Sequence, residues 1–189
     1  MKVYKMNYNY LLIKNIKTRS LVLLALLLGF SILSCEDEQE TNTKVSLFIN
    51  ELLAKNDNCC PDELGEYDDW FELYNPGDKD IDIEGMYVTD SPGNELYKIP
   101  SSSSNAMTIP SKGYLVLWCD KESEQGANHL EMKLKTEGEY IFLIDTDSVT
   151  IIDSVSFGMQ EADISFGRSP DGADNWELFS VPTPGRPNK

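Results

Sequence analysis

The sequence predicts an all-β domain, a sandwich or a barrel, and two features of residues 45–188 support this fold class. Short apolar runs recur along the chain with no long stretch of helical period, which favours strands over helices. Turn sequences such as Asn75-Pro76-Gly77-Asp78 and Pro170-Asp171-Gly172 separate these runs. Proline fixes φ and glycine allows positive φ, so each turn sequence has a physical reason to reverse the chain.

The apolar runs predict the individual strands in chain order. The clearer ones are Val45–Leu53, Trp70–Tyr74, Met86–Thr89, Tyr114–Trp118, Tyr140–Ile144, Thr150–Ser156, Ile164–Gly167 and Trp176–Phe179. Weaker runs predict strands at Ile81–Ile83, Tyr97–Ile99, Met107–Ile109 and Met132–Leu134. Two hairpins are expected, Tyr140–Ile144 with Thr150–Ser156 and Ile164–Gly167 with Trp176–Phe179, because a turn joins each pair.

Two of these strands allow a more detailed prediction. Side chains alternate between the two faces of a strand, so Phe71 and Leu73 share one face of Trp70–Tyr74. Glu72 is expected to face solvent, which places Phe71 and Leu73 in the core. Tyr114–Trp118 is apolar throughout, and it is therefore predicted to be buried on both faces at the centre of a sheet.

Residues 1–34 predict a cleaved signal peptide. Basic residues and no acidic ones occur in this segment, and the apolar run Leu21–Leu33 follows them. The run is shorter than the roughly 20 residues that span a bilayer, which favours a signal peptide over a membrane helix. The sequence does not decide between Met1 and Met6 as the start.

Ile32-Leu33-Ser34-Cys35 resembles the lipobox of bacterial lipoproteins, which makes Cys35 the expected lipid attachment residue. The alternative is an ordinary cysteine after an ordinary signal peptide. Residues 35–44 are expected to form a flexible acidic tether. Their acidic run, Glu36, Asp37, Glu38 and Glu40, resembles the surface-export signal of Bacteroidota lipoproteins, and the alternative interpretation is a solvated tether. An outer-membrane lipoprotein, displayed on the cell surface, is the predicted location.

The charge balance excludes one class of partner. The chain carries 16 Lys and Arg against 32 Asp and Glu, a formal net charge of −16. Binding to nucleic acid relies on basic side chains that displace counterions from phosphates, so no nucleic-acid partner is expected.

The motifs of residues 45–188 follow one another in an order that is typical of one known family. They are Ile49-Asn50-Glu51, Asp69–Pro76, Gly85–Asp90, Ile109–Trp118, His129-Leu130, Asp153–Gly158, Gly167–Gly172, Trp176 and Pro182-Thr183-Pro184-Gly185. Together they resemble the lamin-tail domain in its secreted bacterial form. The resemblance implies an immunoglobulin-like β-sandwich over 45–188 and a non-catalytic binding or assembly module.

The loop Asn56–Asp69 is the candidate metal site. Its Asp57, Asp62, Asp68 and Asp69 are hard oxygen ligands in a flexible loop, the chemistry that Ca²⁺ prefers. The spacing does not match an EF-hand, and a solvated acidic loop is the competing interpretation. No other cofactor is expected.

The remaining cysteines, Cys59, Cys60 and Cys119, are disulfide candidates for an exported protein. A bridge from Cys59 or Cys60 to Cys119 would join the 54–69 loop to the end of Tyr114–Trp118 if the Cα atoms come within about 7 Å. A zinc site built from these thiols and His129 is an alternative. His129 is the only histidine, and a structural hydrogen bond is its expected role.

Several aromatic side chains, Trp70, Tyr74, Tyr87, Tyr67 and Tyr97, are candidates for positions outside the core. Such side chains either stack on sugars and anchor protein interfaces or simply cover the outer faces of strands. The predicted function is a lipid-anchored, non-enzymatic binding, adhesion or assembly module with a protein or glycan ligand. The alternatives are an accessory subunit of a secreted enzyme or glycan-capture complex, and a metal-dependent enzyme.

Overall fold

The computed structural model describes residues 45–91, 93, 95–102 and 106–189, which belong to the second of two units into which the chain divides, Asn42–Lys189. The predicted signal peptide, Cys35 and the acidic tether lie outside the described residues. Across the described ranges, no helix has the length and apolar character needed to cross a membrane.

The described ranges contain eleven strands and confirm the all-β prediction. They are β1 (Phe48–Leu53), β2 (Trp70–Tyr74), β3 (Ile81–Asp82), β4 (Tyr87–Thr89), β5 (Tyr97–Lys98), β6 (Thr108–Ile109), β7 (Tyr114–Trp118), β8 (Glu139–Ile144), β9 (Ile151–Phe157), β10 (Ser165–Arg168) and β11 (Trp176–Phe179). One sheet has the order β11-β10-β1-β2-β7, a second the order β5-β4-β8-β9, and β3 pairs with β6. The β8-β9 and β10-β11 hairpins form as predicted.

The hydrophobic core lies between the five-stranded and the four-stranded sheet. The first sheet contributes Ile49, Leu52, Phe71, Leu73 and Leu117, and the second contributes Val88, Ile141, Leu143, Val155 and Phe157. Phe71 and Leu73 are fully buried in this core, which confirms the inward face expected for β2. Alternation along each strand therefore sends every second side chain of the five-stranded sheet to its other, outer face.

A buried ion pair joins the two sheets. Arg168 of β10 donates to the carboxylate of Asp153 on β9 at 3.0 Å, and to the carbonyl oxygen of Ile49 at 2.8 Å. Asp153 also accepts the backbone N–H of Ile49 at 2.8 Å. The guanidinium also lies over the rings of Phe48 and Trp176. Its charge is therefore paired with a carboxylate, and its planar faces contact aromatic rings.

The outer face of the five-stranded sheet is covered, and this makes two predictions wrong. Trp70 is fully buried against Leu53, Cys60 and Trp118 rather than outside the protein core. Glu72 is fully buried rather than solvent-facing, because residues 180–189 lie across its strand. The alternation along β2 was predicted correctly; what covers its polar face was not.

Two strand predictions are also wrong. β7 lies at the edge of its sheet rather than at the centre. Its last residue is covered by a passing segment, since Trp118 N–H donates to the Asn128 carbonyl and Leu130 N–H donates to the Trp118 carbonyl, both at 2.8 Å. Residues 132–134 form no strand, although Met132 and Leu134 are buried in the core. Their apolar character reflects burial and not pairing.

Candidate functional site

Asp62 organises a turn in the loop between β1 and β2. Its Oδ1 accepts the backbone N–H groups of Leu64 and Glu66, each at 2.8 Å, and its own N–H donates to the Glu66 carbonyl at 2.9 Å. The residue is only 8% exposed. Its second oxygen, Oδ2, is buried and has no hydrogen-bond partner among the described residues. One half of this carboxylate therefore shapes the loop and the other half is unmatched.

His129 reaches the same place from the segment that covers the end of β7. It is 3% exposed, and its Nδ1 is hydrogen-bonded to the Asp120 carboxylate, which is also buried. An ionised carboxylate only accepts hydrogen bonds, so Nδ1 carries the proton and Nε2 keeps its lone pair in the neutral ring. Nε2 lies 3.7 Å from Oε2 of Glu63. The hydrogen bond expected for His129 is present, and it leaves one ring nitrogen available.

Two groups of three side chains here have the spacing of metal ligands. One is Asp62, Glu63 and His129, the other is Asp62, Glu66 and Asp68, and in each group one ligand atom per residue lies within 4.8 Å of the others. Of the four predicted calcium ligands, the structure brings Asp62 and Asp68 together. Neither group, within the described ranges, contains the other two. The backbone N–H of Asp57 donates to the Asp163 carboxylate, and the Asp69 carboxylate accepts the backbone N–H of Asn56.

Negative charge accumulates around this loop. The pKa of Asp68 is raised by burial first and then by the charges of Asp120, Asp62 and Glu66. The pKa of Glu122 is raised in the same way, by desolvation and then by Glu66 and its acidic neighbours. Gln125 donates to Glu66 at 2.8 Å, yet its Oε1 is a second buried acceptor without a partner in the described part of the chain. The electrostatics of the region favour a cation.

The three described cysteines carry free thiols in the structure. Cys60 packs with Trp118 on the outer face of the sheet, whereas Cys119 follows Trp118 directly and its side chain lies in the core on the inner face. The predicted bridge to Cys119 is therefore not formed, because successive strand residues point to opposite faces. Burial raises the pKa of Cys59, Cys60 and Cys119, which favours the thiol over the thiolate form of each.

Two recesses on the surface have the size of ligand sites. One of about 550 Å³ lies between the 54–69 loop and residues 180–186 and is bordered by Cys59, Trp118 and Arg186. The other, of about 350 Å³, is mostly apolar and is bordered by Tyr97 and Leu130. Sequence reasoning identified neither, because each is formed by segments far apart in the chain.

A pair of buried carboxylates on β1 and β2 was also missed. Glu51 and Glu72 are cross-strand neighbours, and both are 0% exposed. Glu51 accepts from Ser165 Oγ and from the N–H and hydroxyl of Thr183, the last two at 3.0 and 2.9 Å. Glu72 accepts the Gly185 N–H and the Asn50 amide. The available signal was an acidic residue within each of two mostly apolar strands, together with the Pro182–Gly185 motif.

This carboxylate pair has perturbed titration but no route to a substrate. Burial raises the pKa of Glu72 to about 8, against the lowering effect of the Gly185 N–H, and the Glu51 charge raises it further. Burial likewise raises the pKa of Glu51. Paired carboxylates with shifted pKa values are typical of acid–base catalysis. These two are closed off from solvent by the C-terminal segment, and their oxygens hold that segment in place.

The predicted outward aromatic residues differ in their surroundings. Trp70 is buried, Tyr74 is half-buried and stacks on Tyr114 at 4.9 Å, and Tyr87 and Tyr97 are half-buried. Tyr67 is exposed. A further exposed residue, Tyr140, stacks on Phe142 at 5.7 Å on β8. Most of these rings therefore cover strands, and among the described residues only Tyr67 and Tyr140 are exposed aromatics.

Comparison with known proteins agrees with this architecture. The family model Lamin Tail Domain matches residues 40–159, and this family has an immunoglobulin-like, non-catalytic fold. Neither a curated protein nor a solved structure matches the chain. The match covers β1 to β9. Strands β10 and β11, which complete the five-stranded sheet, lie beyond it, and so does the covering segment 180–189. The chain belongs to the Lamin Tail Domain family.

Proposed function

We propose that this protein is a lipid-anchored, non-enzymatic binding module on the outer surface of a bacterial outer membrane. The observation that carries the proposal is the closed carboxylate pair Glu51–Glu72, the arrangement in the described residues that most resembles acid–base machinery. Both side chains are fully buried and bonded to Thr183 and Gly185. Because these two carboxylates hold the C-terminal segment in place and do not face solvent, they support a binding role over a catalytic one.

The anchor is proposed at Cys35. Support comes from Ile32-Leu33-Ser34-Cys35 at the end of a basic and apolar leader, with an acidic tether between the cysteine and β1. Two or three acyl chains would hold the protein firmly, since a single chain anchors only marginally. Replacing Cys35→Ala is expected to move the protein from the membrane fraction to the soluble fraction and to abolish incorporation of labelled fatty acid. The matched control Cys59→Ser should leave both unchanged.

Surface display is tested separately from anchoring. An impermeant amine reagent applied to intact cells should label the lysines of the protein as strongly as it does after lysis. Labelling that requires lysis would place the domain inside the cell envelope and overturn display, while leaving the lipid anchor unaffected.

The ligand is proposed to be a protein or a glycan that enters one of the two recesses. The recess beside Tyr97 and Leu130 combines an aromatic ring with apolar walls, the composition typical of ligand sites. Cross-linking on intact cells followed by mass spectrometry identifies the partner. Recovery of one stoichiometric secreted enzyme would assign the protein as an accessory subunit, and recovery of a glycan or a non-catalytic protein would support the binding module.

A further inference from the structure

We propose that Asp62, Glu63 and His129 bind a borderline transition-metal dication, of which Zn²⁺ is the type, rather than Ca²⁺. The site goes beyond the binding role proposed above and does not depend on it. It differs from the four-aspartate calcium site that the sequence predicts, because it uses the histidine and only one of those aspartates.

The ligand atoms of Asp62, Glu63 and His129 lie close to the spacing that zinc requires. Zinc holds imidazole nitrogen and carboxylate oxygen at roughly 2.0–2.2 Å in a tetrahedron, which sets neighbouring ligand atoms about 3.3 Å apart. His129 Nε2 and Glu63 Oε2 are already 3.7 Å apart, and all three ligand atoms lie within 4.8 Å of one another. The Glu63 side chain is 71% exposed, and its one hydrogen bond among the described residues, from Asn128 Nδ2 to Oε1, is long at 3.5 Å, so a small rotation closes the remaining gap. Solvent can supply the fourth ligand.

One carboxylate oxygen of Asp62 has no hydrogen-bond donor among the described residues. Oδ1 is occupied by two backbone N–H groups, so Oδ2 is the oxygen that remains for a ligand. It is buried and without a hydrogen-bond partner among the described residues, in a side chain that is more than nine-tenths buried. Buried polar atoms in folded proteins are nearly always satisfied, and a bound cation satisfies this one.

The His129 ring is oriented by a hydrogen bond between its Nδ1 and the Asp120 carboxylate. A metal-binding imidazole commonly donates its other N–H to a carboxylate, which fixes the tautomer and increases the basicity of the ligating nitrogen. Asp120 has this position: it is 2% exposed, bonds to Nδ1, and is itself held by the Glu122 N–H at 2.9 Å. Nε2 is thereby turned toward the Glu63 carboxylate, 3.7 Å away.

The ligand types select the metal. Ca²⁺ takes six to eight oxygen ligands and rarely nitrogen, whereas imidazole with carboxylates suits Zn²⁺ and neighbouring transition metals. The neighbouring group Asp62, Glu66 and Asp68 offers oxygen alone and is the Ca²⁺ competitor. Both groups need Asp62, so the relative affinity of the two metals distinguishes them.

The experiment titrates Zn²⁺, and separately Ca²⁺, into the detergent-solubilised full chain under reducing conditions, by calorimetry and by ¹⁵N NMR of the imidazole. A single histidine gives a single ring spectrum. We expect one equivalent of Zn²⁺, a large shift of the Nε2 resonance, and an Nδ1 that stays protonated. Glu63→Gln should weaken Zn²⁺ binding about tenfold or more. Glu161→Gln, an exposed acid outside both groups, should not change it.

A Cys59→Ser, Cys60→Ser double variant separates this site from one formed by thiols, and it should retain full Zn²⁺ affinity. The proposal is overturned if Zn²⁺ does not bind, if it binds without shifting Nε2, or if the double variant loses it. Calcium that binds as tightly as zinc would also overturn it and would assign the oxygen-only group instead. Glu63 is largely exposed, so loss of folding does not explain a weak Glu63→Gln variant.

Discussion

Two regions of this molecule bury acidic side chains, and they treat them in opposite ways. Under the C-terminal segment, the oxygens of Glu51 and Glu72 receive hydrogen bonds from Ser165, Thr183, Gly185 and Asn50. At the 54–69 loop, Asp62 keeps a buried oxygen without a donor in the described ranges. Burial alone therefore does not separate a structural carboxylate from a ligand; the supply of donors does.

The largest effect is expected from removing the segment that closes the first region. A chain that ends after Val181 lacks the Thr183 and Gly185 donors, and it uncovers Glu51 and Glu72. Each lost hydrogen bond contributes about 0.5–1.5 kcal/mol, and the outer face of the sheet also loses its cover, so we expect a loss of about 3–5 kcal/mol in the free energy of unfolding. Urea denaturation measures it. A truncated chain as stable as the full one would show that the carboxylates are not held by this segment.

A single methyl group should disturb the same region to a smaller extent. In Gly167→Ala the new Cβ would lie 2.7 Å from Asn188 Nδ2 and 3.1 Å from the Asn50 carbonyl oxygen. Overpacking of this kind typically costs about 1–3 kcal/mol. We expect the free energy of unfolding to fall by that amount, measured as a lower urea midpoint. The matched control is Gly158→Ala, where a Cβ meets nothing within 4 Å. Equal losses in the two variants would contradict the close approach of the C-terminal segment.

The protonation of Glu72 gives the first region a pH dependence. Its pKa is about 8 in the folded protein against an ordinary value of 4.5, so the folded state holds a proton that the unfolded state releases. The stabilisation is fully present below pH 4.5 and is lost as pH rises toward 8. Glu72→Gln should flatten this fall, with a difference of roughly 1–2 kcal/mol between pH 6.5 and pH 8. Chemical denaturation at both pH values provides the comparison with the unmodified chain.

The second region should respond in the opposite direction and least of all. Asp62→Asn retains an oxygen that can accept the Leu64 and Glu66 N–H groups and removes a charge from an acidic cluster. In the presence of a chelator we expect the stability to stay level or to rise by about 0.5 kcal/mol. Thermal melts with and without EDTA check it. A loss above about 2 kcal/mol would show that Oδ2 has a structural partner, and the contrast between the two regions would disappear.

The sequence predicted local features well because they depend on neighbouring residues. The bounds of β2, β7 and β11 are the predicted ones, and the alternation that buries Phe71 and Leu73 is present. Turn residues and side-chain alternation act over a few positions, so a single sequence contains the necessary information.

The sequence did not predict what depends on distant segments. Glu72 looks solvent-facing until residues 180–189 are known to cross its strand. β7 looks central because every residue is apolar, but it lies at a sheet edge, where only Leu117 and Trp118 are buried and residues 128–130 pass beside Trp118. The proximity of His129 to the acidic loop depends on residues 128–130 running beside Trp118. Each miss is a long-range contact that strand periodicity does not contain.

The position of the covering segment in the chain has a consequence for the order of folding. Glu51 and its partner Thr183 are 132 positions apart, and Glu72 and Gly185 are 113 positions apart. A chain that is synthesised from its N-terminus presents both glutamates long before Thr183 and Gly185 exist. Contacts of such separation form late and slowly. The outer face of β1 and β2 therefore stays uncovered until Thr183 and Gly185 have emerged.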